Sequence, residues 1–295
     1  MNWKEGFIAA DWGTTNRRAY LIDGAGDLTG EMEDESGVLA VAPGEFPAAV
    51  ESLRAKFGDR PLLLAGMVGS NRGWVEVPYV PAPAGLADIA AGLCWVEPER
   101  TAIVPGIACT IGDTADVMRG EEVQLLGAHA AGLVGPDALV CHPGTHNKWV
   151  RLEEGRIGPF RTVMTGELFN LLREHSILAD LLAAPVKIGA AFEAGARHGL
   201  AHDDLTAELF SVRARCLLGK ADPADAASYA SGLLIGSDVR IGLSSAPPGE
   251  VAVLGRPELT RLFAAALAVA GREAKEIDGE QAFLAGARRI VEAME

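Results

Sequence analysis

Two parts of this chain carry the same short pattern, in which a buried-type strand runs into Gly-Thr and a second strand follows at once. In the first copy the apolar run 6–10 leads into Asp11-Trp12-Gly13-Thr14-Thr15. In the second copy the run 138–142 leads into Pro143-Gly144-Thr145-His146. Each copy continues through a second strand and a tight turn to a third strand candidate. We therefore expect two similar units, each beginning with three strands joined by turns.

A Gly-Thr turn at the end of a strand suits a bound phosphate. The glycine lets the backbone approach an anion, and threonine offers hydroxyl and N–H donors. A carboxylate at the strand end, here Asp11, can hold Mg²⁺ through water. The second turn has His142 and Pro143 where the first has Asp11 and Trp12, so only the first turn is a candidate metal site. The candidate phosphate-binding residues are Gly13, Thr14 and Thr15 in the first turn and Gly144, Thr145, His146 and Lys148 in the second. Each turn also fits an ordinary hairpin, and Lys148 also fits a solvated lysine on a strand.

The spacing of apolar residues extends both units beyond their first three strands. It predicts a helix over 45–57 and a buried strand over 61–66 in the first half. The second half is expected to be largely helical, with a buried strand over 251–255. The helices are expected at 166–175, 188–198, 205–218, 225–243 and 258–270. A boundary near Pro105-Gly106 divides the chain into domains 1–106 and 107–295. Two such units facing each other would hold a nucleoside triphosphate between their Gly-Thr turns.

This layout resembles the actin, hexokinase and Hsp70 superfamily, whose two ribonuclease-H-like domains close on ATP. Within the superfamily, several segments resemble the 2-dehydro-3-deoxygalactonokinase family. The matching segments are 10–16, 65–70, 74–83, 116–122, 143–149 and 165–167. The resemblance implies an α/β fold of two ribonuclease-H-like domains with an interdomain cleft. It also implies that 1–106 is the sugar-acid side and 107–295 the nucleotide side.

The family implies a specific reaction. ATP, with Mg²⁺, would phosphorylate the C6 hydroxyl of 2-dehydro-3-deoxy-D-galactonate and give the 6-phosphate used in galactonate breakdown. Nothing in the residue pattern separates one hydroxyl epimer from another, so a kinase for another sugar acid, such as 2-keto-3-deoxygluconate, is the alternative. A chaperone-type member would carry an appended peptide-binding domain, for which we find no segment. A phosphatase of the exopolyphosphate type would need more basic residues than this acidic chain has.

The general base has two candidates in the segment that precedes a predicted helix over 123–131. In the related FGGY carbohydrate kinases, an acid in a Gly-Asp-Gln turn at this place deprotonates the sugar hydroxyl. One alignment gives that role to Asp116 and the other gives it to Glu121. We favour Asp116, because Glu121 and Glu122 also fit as first-turn acids that complement a helix dipole.

The sugar acid is expected beside the glycine-flanked loop 66–74, whose hydroxyl and amide donors suit a polyol. Arg72 offers a guanidinium fork for a carboxylate, with an ordinary surface arginine as the alternative. Glu167 is assigned to the substrate by resemblance, although Thr165-Gly166-Glu167 also fits a helix N-terminus. The candidate substrate residues are Met67, Gly69, Ser70, Arg72, Trp74, Tyr79 and Glu167.

The adenosine end of ATP is expected at Gly255-Arg256-Pro257, between a strand and a helix. The superfamily has a Gly-Gly pair here, and Pro257 also fits a purely structural helix start. The glycine-flanked segment 232–238 could line the nucleotide site, but we favour a close contact between helices for it.

Composition narrows the partners and the compartment. A formal charge of −14 argues against a nucleic-acid partner. The sequence contains no apolar run of about 18 residues and no basic segment that leads an apolar stretch, so we expect neither a membrane span nor a signal peptide. The four cysteines are isolated from one another, which favours free thiols in a reducing cytoplasm over a disulfide or zinc site. The sequence leaves open whether the protein is a homodimer.

Overall fold

The computed structural model describes residues 2–244 and 246–294 of the 295-residue chain. In chain order the strands of this described part are β1 Gly6–Trp12, β2 Arg17–Asp23, β3 Leu28–Asp34, β4 Leu62–Gly66, β5 Val80–Pro81, β6 Cys94–Glu97, β7 Thr101–Ile103, β8 Ile107–Ile111, β9 Thr114–Met118, β10 Ala138–His142, β11 Asn147–Glu153, β12 Arg156–Val163, β13 Val251–Gly255 and β14 Ala274–Asp278. The α-helices of the same part are α1 Phe46–Phe57, α2 Leu86–Ala91, α3 Glu121–Ala130, α4 Thr165–His175, α5 Ala190–Ala201, α6 Leu205–Leu217, α7 Ala226–Leu243, α8 Pro257–Val269 and α9 Gly279–Glu292. None of these helices is both long and apolar enough to cross a membrane.

Two sheets repeat the same order of strands. The first sheet has the order β3-β2-β1-β4-β7-β6, and the second has the order β12-β11-β10-β13-β14. In both, three consecutive strands lie side by side, and later strands then add parallel to the first of the three. The first sheet carries one extra antiparallel strand, β6, at its edge. This repetition confirms the two β-β-β-α-β units expected from the sequence.

Burial along each strand follows from its position in the sheet. The central strand β4 is buried at every residue, and so is β13, as their continuous apolar runs require when both faces are covered. The edge strand β3 has no buried residue and mixes acids with small residues. Apolar side chains from β1, β4 and α1 form the core beside the first sheet. A second core joins β11, β13, α5 and α8 around Trp149 and Phe263.

Helices α5 and α7 approach each other through glycines. A Cβ added to Gly232 would lie 2.0 Å from the carbonyl oxygen of Phe192, and one added to Gly236 would lie 2.2 Å from that of Ala196. A Cβ added to Gly195 on the facing helix would lie equally close, 2.1 Å from the carbonyl oxygen of Tyr229. The glycines of segment 232–238 therefore make the helix-packing contact that we favoured from the sequence.

The contacts divide the chain into two compact units. The first contains the residues up to Asp137, the segment Leu152–Pro159 and the residues from Gly279 onward. The second contains Ala138–Arg151 and Phe160–Asp278. Residues 107–137 thus pack with the first unit, whereas the predicted boundary assigned them to the second domain. The functional domains 1–106 and 107–295 stay predictions.

Several short elements had not been predicted. The hairpin of β8 and β9 pairs along its whole length and takes in β5, a two-residue edge strand within the Pro-rich loop 77–83. Strand β14 and helix α9 complete the C-terminal part of the chain. Met164, and not Thr165, is the N-cap residue of α4.

Candidate functional site

The first Gly-Thr turn is tied down by its own backbone. The Gly13 N–H donates to the carbonyl of Asn16 at 2.9 Å, which closes the turn between β1 and β2. The N–H groups of Gly37 and Val38 donate to the carbonyls of Thr15 and Gly13 at 2.9 and 3.0 Å. The side chains of Thr14 and Thr15 are exposed. The turn is therefore a fixed loop whose threonine side chains face solvent.

The ends of strands β1 and β4 and the start of helix α3 lie together beside this turn, within the first unit. Asp11 lies near the end of β1 and pairs in register with Ala65 of the parallel strand β4. A Cβ added to Gly66, the last residue of β4, would lie 3.3 Å from Asp11 Oδ1. A Cβ added to Gly120, the N-cap of α3, would lie 3.2 Å from the Cα of Gly66. A carboxylate, two strand ends and a helix N-terminus thus meet in one place, which suits a metal-bound phosphate.

Two glutamates begin α3, and they differ in environment. Glu121 Oε2 accepts a hydrogen bond from the Arg119 N–H at 2.9 Å, and the residue is half-buried. Glu122 is fully buried, and its Oε2 accepts from the Gly120 N–H at 2.6 Å. Its other oxygen has no hydrogen-bond partner. Burial, followed by the nearby charge of Glu121, raises the pKa of Glu122 to about 8, so this carboxyl is protonated at neutral pH.

Asp116 lies on β9, in the hairpin that precedes α3. It pairs in register with Cys109, and its Oδ1 accepts from the N–H of Val117 at 2.8 Å. Glu121, by contrast, is the first residue of α3. The two candidate bases are therefore on different elements.

The loop after β4 uses some of its predicted ligands internally. Ser70 is 7 % exposed; its hydroxyl donates to the Met67 carbonyl at 2.7 Å and accepts from the Arg72 N–H at 3.2 Å. Trp74 stacks on Phe46 with the rings 6° from parallel, beside the core of the first unit. Arg72 is exposed. The Ser70 hydroxyl is thus used inside the loop, whereas the Arg72 side chain is exposed.

Arg119 is a residue of this region that the sequence analysis missed. Its guanidinium lies 4.4 Å from the centre of the Tyr79 ring, and Nη2 donates to the Val77 carbonyl at 2.6 Å. Nη1 and Nε are buried and have no hydrogen-bond partner. A Cβ added to Gly69 would lie 2.8 Å from Nη1, so the Arg119 guanidinium packs against the loop at Gly69. The sequence offered one signal for Arg119, which is that it lies two residues before the candidate base Glu121.

The second Gly-Thr turn is braced from two sides. The Gly144 N–H donates to Oδ1 of Asn147 at 2.7 Å, and the Glu167 N–H donates to the carbonyl of Thr145 at 2.9 Å. A Cβ added to Gly166 would lie 2.4 Å from the Gly144 carbonyl oxygen, so the start of α4 packs directly on the turn. Thr145 itself is exposed.

Two predicted ligands of this turn have partners of their own. The His146 ring nitrogen Nε2 is hydrogen-bonded to the Glu167 carboxylate, and both side chains are partly exposed. Lys148 is only 5 % exposed, and its ammonium donates to Thr162 Oγ1 at 2.7 Å. The alternative of a solvated lysine is therefore wrong. Whether His146 and Lys148 bind phosphate stays a prediction.

A buried carboxylate lies behind the second turn. Asp238, on α7, accepts hydrogen bonds from Asn147 Nδ2, from Thr165 Oγ1 and from Trp149 Nε1, the last at 2.6 Å. Burial raises the pKa of Asp238 to about 6, against the lowering effect of its three donors. The sequence analysis assigned no role to this residue.

An apolar cavity of about 160 Å³ adjoins the same turn, within the second unit. Its lining includes Gly144, Gly166, Phe169, Ile235, Leu259 and Phe263. Gly255 ends β13, Arg256 is the N-cap of α8 and Pro257 its first residue, so this segment leads into the helix that supplies Leu259 and Phe263. A cavity with this lining suits a flat apolar group.

Comparison with known proteins decides the family. The sequence model of 2-keto-3-deoxy-galactonokinase matches residues 11–290, almost the whole chain. The chain belongs to this family. The 2-dehydro-3-deoxygalactonokinase of Escherichia coli (strain K12) is 37% identical to this chain over 292 residues, which is 98% of each protein. This confirms the carbohydrate-kinase assignment.

Solved structures agree with the family and the fold. A crystal structure of a Sinorhizobium meliloti protein assigned as a 2-dehydro-3-deoxygalactonokinase has a TM-score of 0.91 at 35% identity and covers 98% of this chain and 99% of its own. The activator of the 2-hydroxyisocaproyl-CoA dehydratase from Clostridium difficile has a TM-score of 0.52 at 12% identity, over 98% of this chain and 95% of its own. The second likeness concerns the fold alone. The predicted actin-like ATPase fold is confirmed, and the individual site residues stay predictions.

Proposed function

We propose that the protein transfers the γ-phosphate of ATP to the C6 hydroxyl of 2-dehydro-3-deoxy-D-galactonate and forms the 6-phosphate. The observation that carries this proposal is the full-length identity to a 2-dehydro-3-deoxygalactonokinase. The acid-bearing strand end beside the first Gly-Thr turn supports the phosphoryl-transfer part of the proposal. The choice of sugar acid follows the family and this relative.

Phosphoryl transfer needs alignment, neutralised phosphate charge and a base at the attacking hydroxyl. We assign Mg²⁺ to Asp11, because a carboxylate oxygen is a suitable ligand and Gly66 leaves room beside it. Mg²⁺, when bound with ATP, neutralises charge on the phosphates. Thr14 and Thr15 would donate hydrogen bonds to phosphate oxygens in the first unit, and Thr145 would do so in the second.

We assign the base to Glu121 in preference to Asp116. The backbone of Glu121 follows Gly120 directly, and Gly120 contacts Gly66 next to Asp11. Asp116 belongs to the β8–β9 hairpin instead. Glu122 is a poor base, because its carboxyl already holds a proton at neutral pH and is fully buried. Asp116 remains the second candidate and is tested beside Glu121 below.

The sugar acid is assigned to the loop after β4, in the first unit. Arg72 is exposed and can offer its guanidinium to the carboxylate. The adenine ring is assigned to the apolar cavity beside Gly144, in the second unit. His146 and Glu167 lie at the open side of the turn, where they can reach a phosphate or a hydroxyl.

A cytoplasmic location accompanies this proposal, because all four cysteines are free thiols. ATP and the sugar acid are the expected partners, and the charge of −14 is unsuited to nucleic acid. A homodimer stays a prediction that light scattering of the purified protein would test.

A coupled assay of ADP release tests the proposed function. The wild-type protein is offered 2-dehydro-3-deoxy-D-galactonate, its gluconate epimer, plain hexoses and no acceptor. We expect turnover with the galactonate derivative and a much lower kcat/KM with hexoses. The Arg72→Ala variant should raise KM for the sugar acid and leave KM for ATP unchanged. Turnover limited to hexoses would overturn the sugar-acid assignment, and ATP hydrolysis that ignores every acceptor would overturn the kinase assignment.

A further inference from the structure

Asp238 is a carboxylate in the apolar interior of the second unit. It is 1 % exposed, in the middle of α7, and lies among residues of the second core such as Ile235 and Val239. Its three donors come from β11 and from the first residue of α4. Burying a carboxylate without a cation is costly, and an apolar side chain would fill the same space more cheaply. Stability alone therefore does not explain this residue.

The first consequence concerns the amide of Asn147. Both oxygens of Asp238 can only accept hydrogen bonds when the group is ionised, so the Asn147 side chain must present Nδ2 to it. That orientation leaves Oδ1 of Asn147 to accept from the Gly144 N–H. The charge on α7 thus fixes which way the amide points and, through the amide, the conformation of the second Gly-Thr turn.

The second consequence concerns the start of α4. Thr165 donates its hydroxyl to the same oxygen of Asp238 that Asn147 contacts. The next two residues, Gly166 and Glu167, are those that contact the carbonyls of Gly144 and Thr145. Both supports of the turn are therefore attached to one carboxylate.

We propose that Asp238 is a positioning residue for ATP, which holds the second Gly-Thr turn in its phosphate-binding conformation through Asn147 and Thr165. The inference rests on the proposed function, because it assumes that this turn binds phosphate. Asp238 itself does not contact the nucleotide. Its effect is expected on ATP, because the turn that it holds is assigned to phosphate.

The Asp238→Asn variant keeps the shape of the side chain and replaces one acceptor oxygen by a donor. An amide at this position has one acceptor oxygen, so its Nδ2 lies against either Asn147 Nδ2 or Trp149 Nε1. In the first arrangement Asn147 must rotate its amide, which turns Nδ2 toward the Gly144 N–H and breaks that hydrogen bond. In the second arrangement Trp149, on the same strand β11, loses its acceptor. We expect the Kd of a non-hydrolysable ATP analogue with Mg²⁺ to rise by at least about tenfold, the factor that corresponds to losing roughly one charge-assisted hydrogen bond.

Exchanging the two side chains should restore binding. In the Asn147→Asp/Asp238→Asn double variant, the carboxylate now carried by β11 accepts from the Gly144 N–H and from the new amide on α7. That amide donates its second hydrogen to the Thr165 hydroxyl, which accepts instead of donating, and its oxygen accepts from Trp149. Every partner is satisfied again, so the double variant should bind the analogue more tightly than either single variant.

The experiment is isothermal titration of the analogue and, separately, of the sugar acid, with the melting temperature recorded for each variant. Ser228→Ala is the control, because Ser228 is another buried polar residue of α7, hydrogen-bonded to the Lys187 N–H, and lies about 15 Å along the helix from Asp238. Thr165→Val removes the second support and keeps the test available if Asp238→Asn does not fold. The control should bind the analogue and the sugar acid like the wild type.

Three results are distinguishable. Weakened analogue binding in the single variants, with recovery in the double variant, supports the positioning role. Wild-type analogue affinity in both Asp238→Asn and Thr165→Val, or no recovery on exchange, overturns it while the kinase assignment stands. No binding of the analogue to the wild-type protein overturns the proposed function instead.

Discussion

Single substitutions of Glu121 and Asp116 distinguish which of the two acids is the general base. A positioned base contributes about 10²–10⁴-fold to rate, so Glu121→Gln should lower kcat by at least about 100-fold. The affinity for ATP and for the sugar acid should remain close to the wild-type values. Asp116→Asn is the matched variant, an acid-to-amide change on the preceding hairpin, and should retain turnover within a few fold. Steady-state kinetics of both variants checks this; the reverse pattern would transfer the role to Asp116.

Glu122 predicts a pH dependence of stability with a definite sign. Its pKa is raised to about 8 in the native protein from 4.5, so between these values the native state holds a proton that the unfolded chain releases. The stabilisation is complete below the lower pKa and is lost as pH rises through the higher one, with a slope of at most about 1.4 kcal/mol per pH unit. The isosteric Glu122→Gln variant has no carboxyl at this position and so lacks this pH dependence.

Urea unfolding of the wild type and of Glu122→Gln between about pH 5 and 9 measures the effect, and the other titrating groups cancel in the difference. The wild type should lose free energy of unfolding relative to the variant as pH rises. A difference that does not change with pH would contradict the neutral, buried state of Glu122.

The two Gly-Thr turns could be predicted from the sequence, but the residues that hold the neighbouring backbone in place could not. Asp11, Gly13 and Gly144 were identifiable because a strand followed by Gly-Thr is a local pattern. Arg119 and Asp238 were not, because their roles depend on burial and on partners far away in the sequence. The contact of Asp238 with Asn147, for example, spans 91 residues. Only the packing of α7 against β11 and α4 brings those side chains together.

At the scale of elements, the approach of α5 to α7 makes a stability prediction. The Cβ introduced by Gly232→Ala would lie 2.0 Å from the Phe192 carbonyl oxygen, so the two helices must separate. Overpacking of this kind typically costs about 1–3 kcal/mol, and backbone contact puts this variant at the upper end. Gly189→Ala, just before α5, is the control, because no atom lies within 4 Å of the added Cβ.

The free energy of unfolding of these two variants, measured by chemical denaturation, checks the close helix contact. We expect a clear loss for Gly232→Ala and a value near that of the wild type for Gly189→Ala. Equal stability in the two variants would mean that α5 and α7 are not in glycine-mediated contact.

Some elements were predictable from their apolar pattern, whereas β14 and α9 were not predicted. The strand 251–255 was predicted to the residue, because a continuous apolar run bounded by turns is typical of a buried strand. Strand β14 reads Ala-Lys-Glu-Ile-Asp and buries one residue, Ile277, so nothing in its pattern indicates a strand. Helix α9 does have helical spacing, with Phe283 and Ile290 on its buried face, and was overlooked.

At the scale of the whole molecule, the repeated sheet order explains why two short motifs constrained the fold so well. Each Gly-Thr turn joins the first two strands of its own sheet. The strand order that follows is the same in both, apart from the extra strand β6. The division by contacts was less predictable, because the last helix, α9, returns to the first unit and packs on α3 through Gly127 and Gly286. Local sequence patterns carry no information on such a return.

NMR of the reaction product shows which hydroxyl of the sugar acid receives the phosphate. The wild-type protein is incubated with ATP, Mg²⁺ and 2-dehydro-3-deoxy-D-galactonate, and the phosphorus and carbon spectra of the sugar product are recorded. We expect one phosphomonoester whose phosphorus couples to C6 of the sugar acid. An unchanged sugar acid, or a phosphate attached to any other hydroxyl, would contradict the proposed reaction.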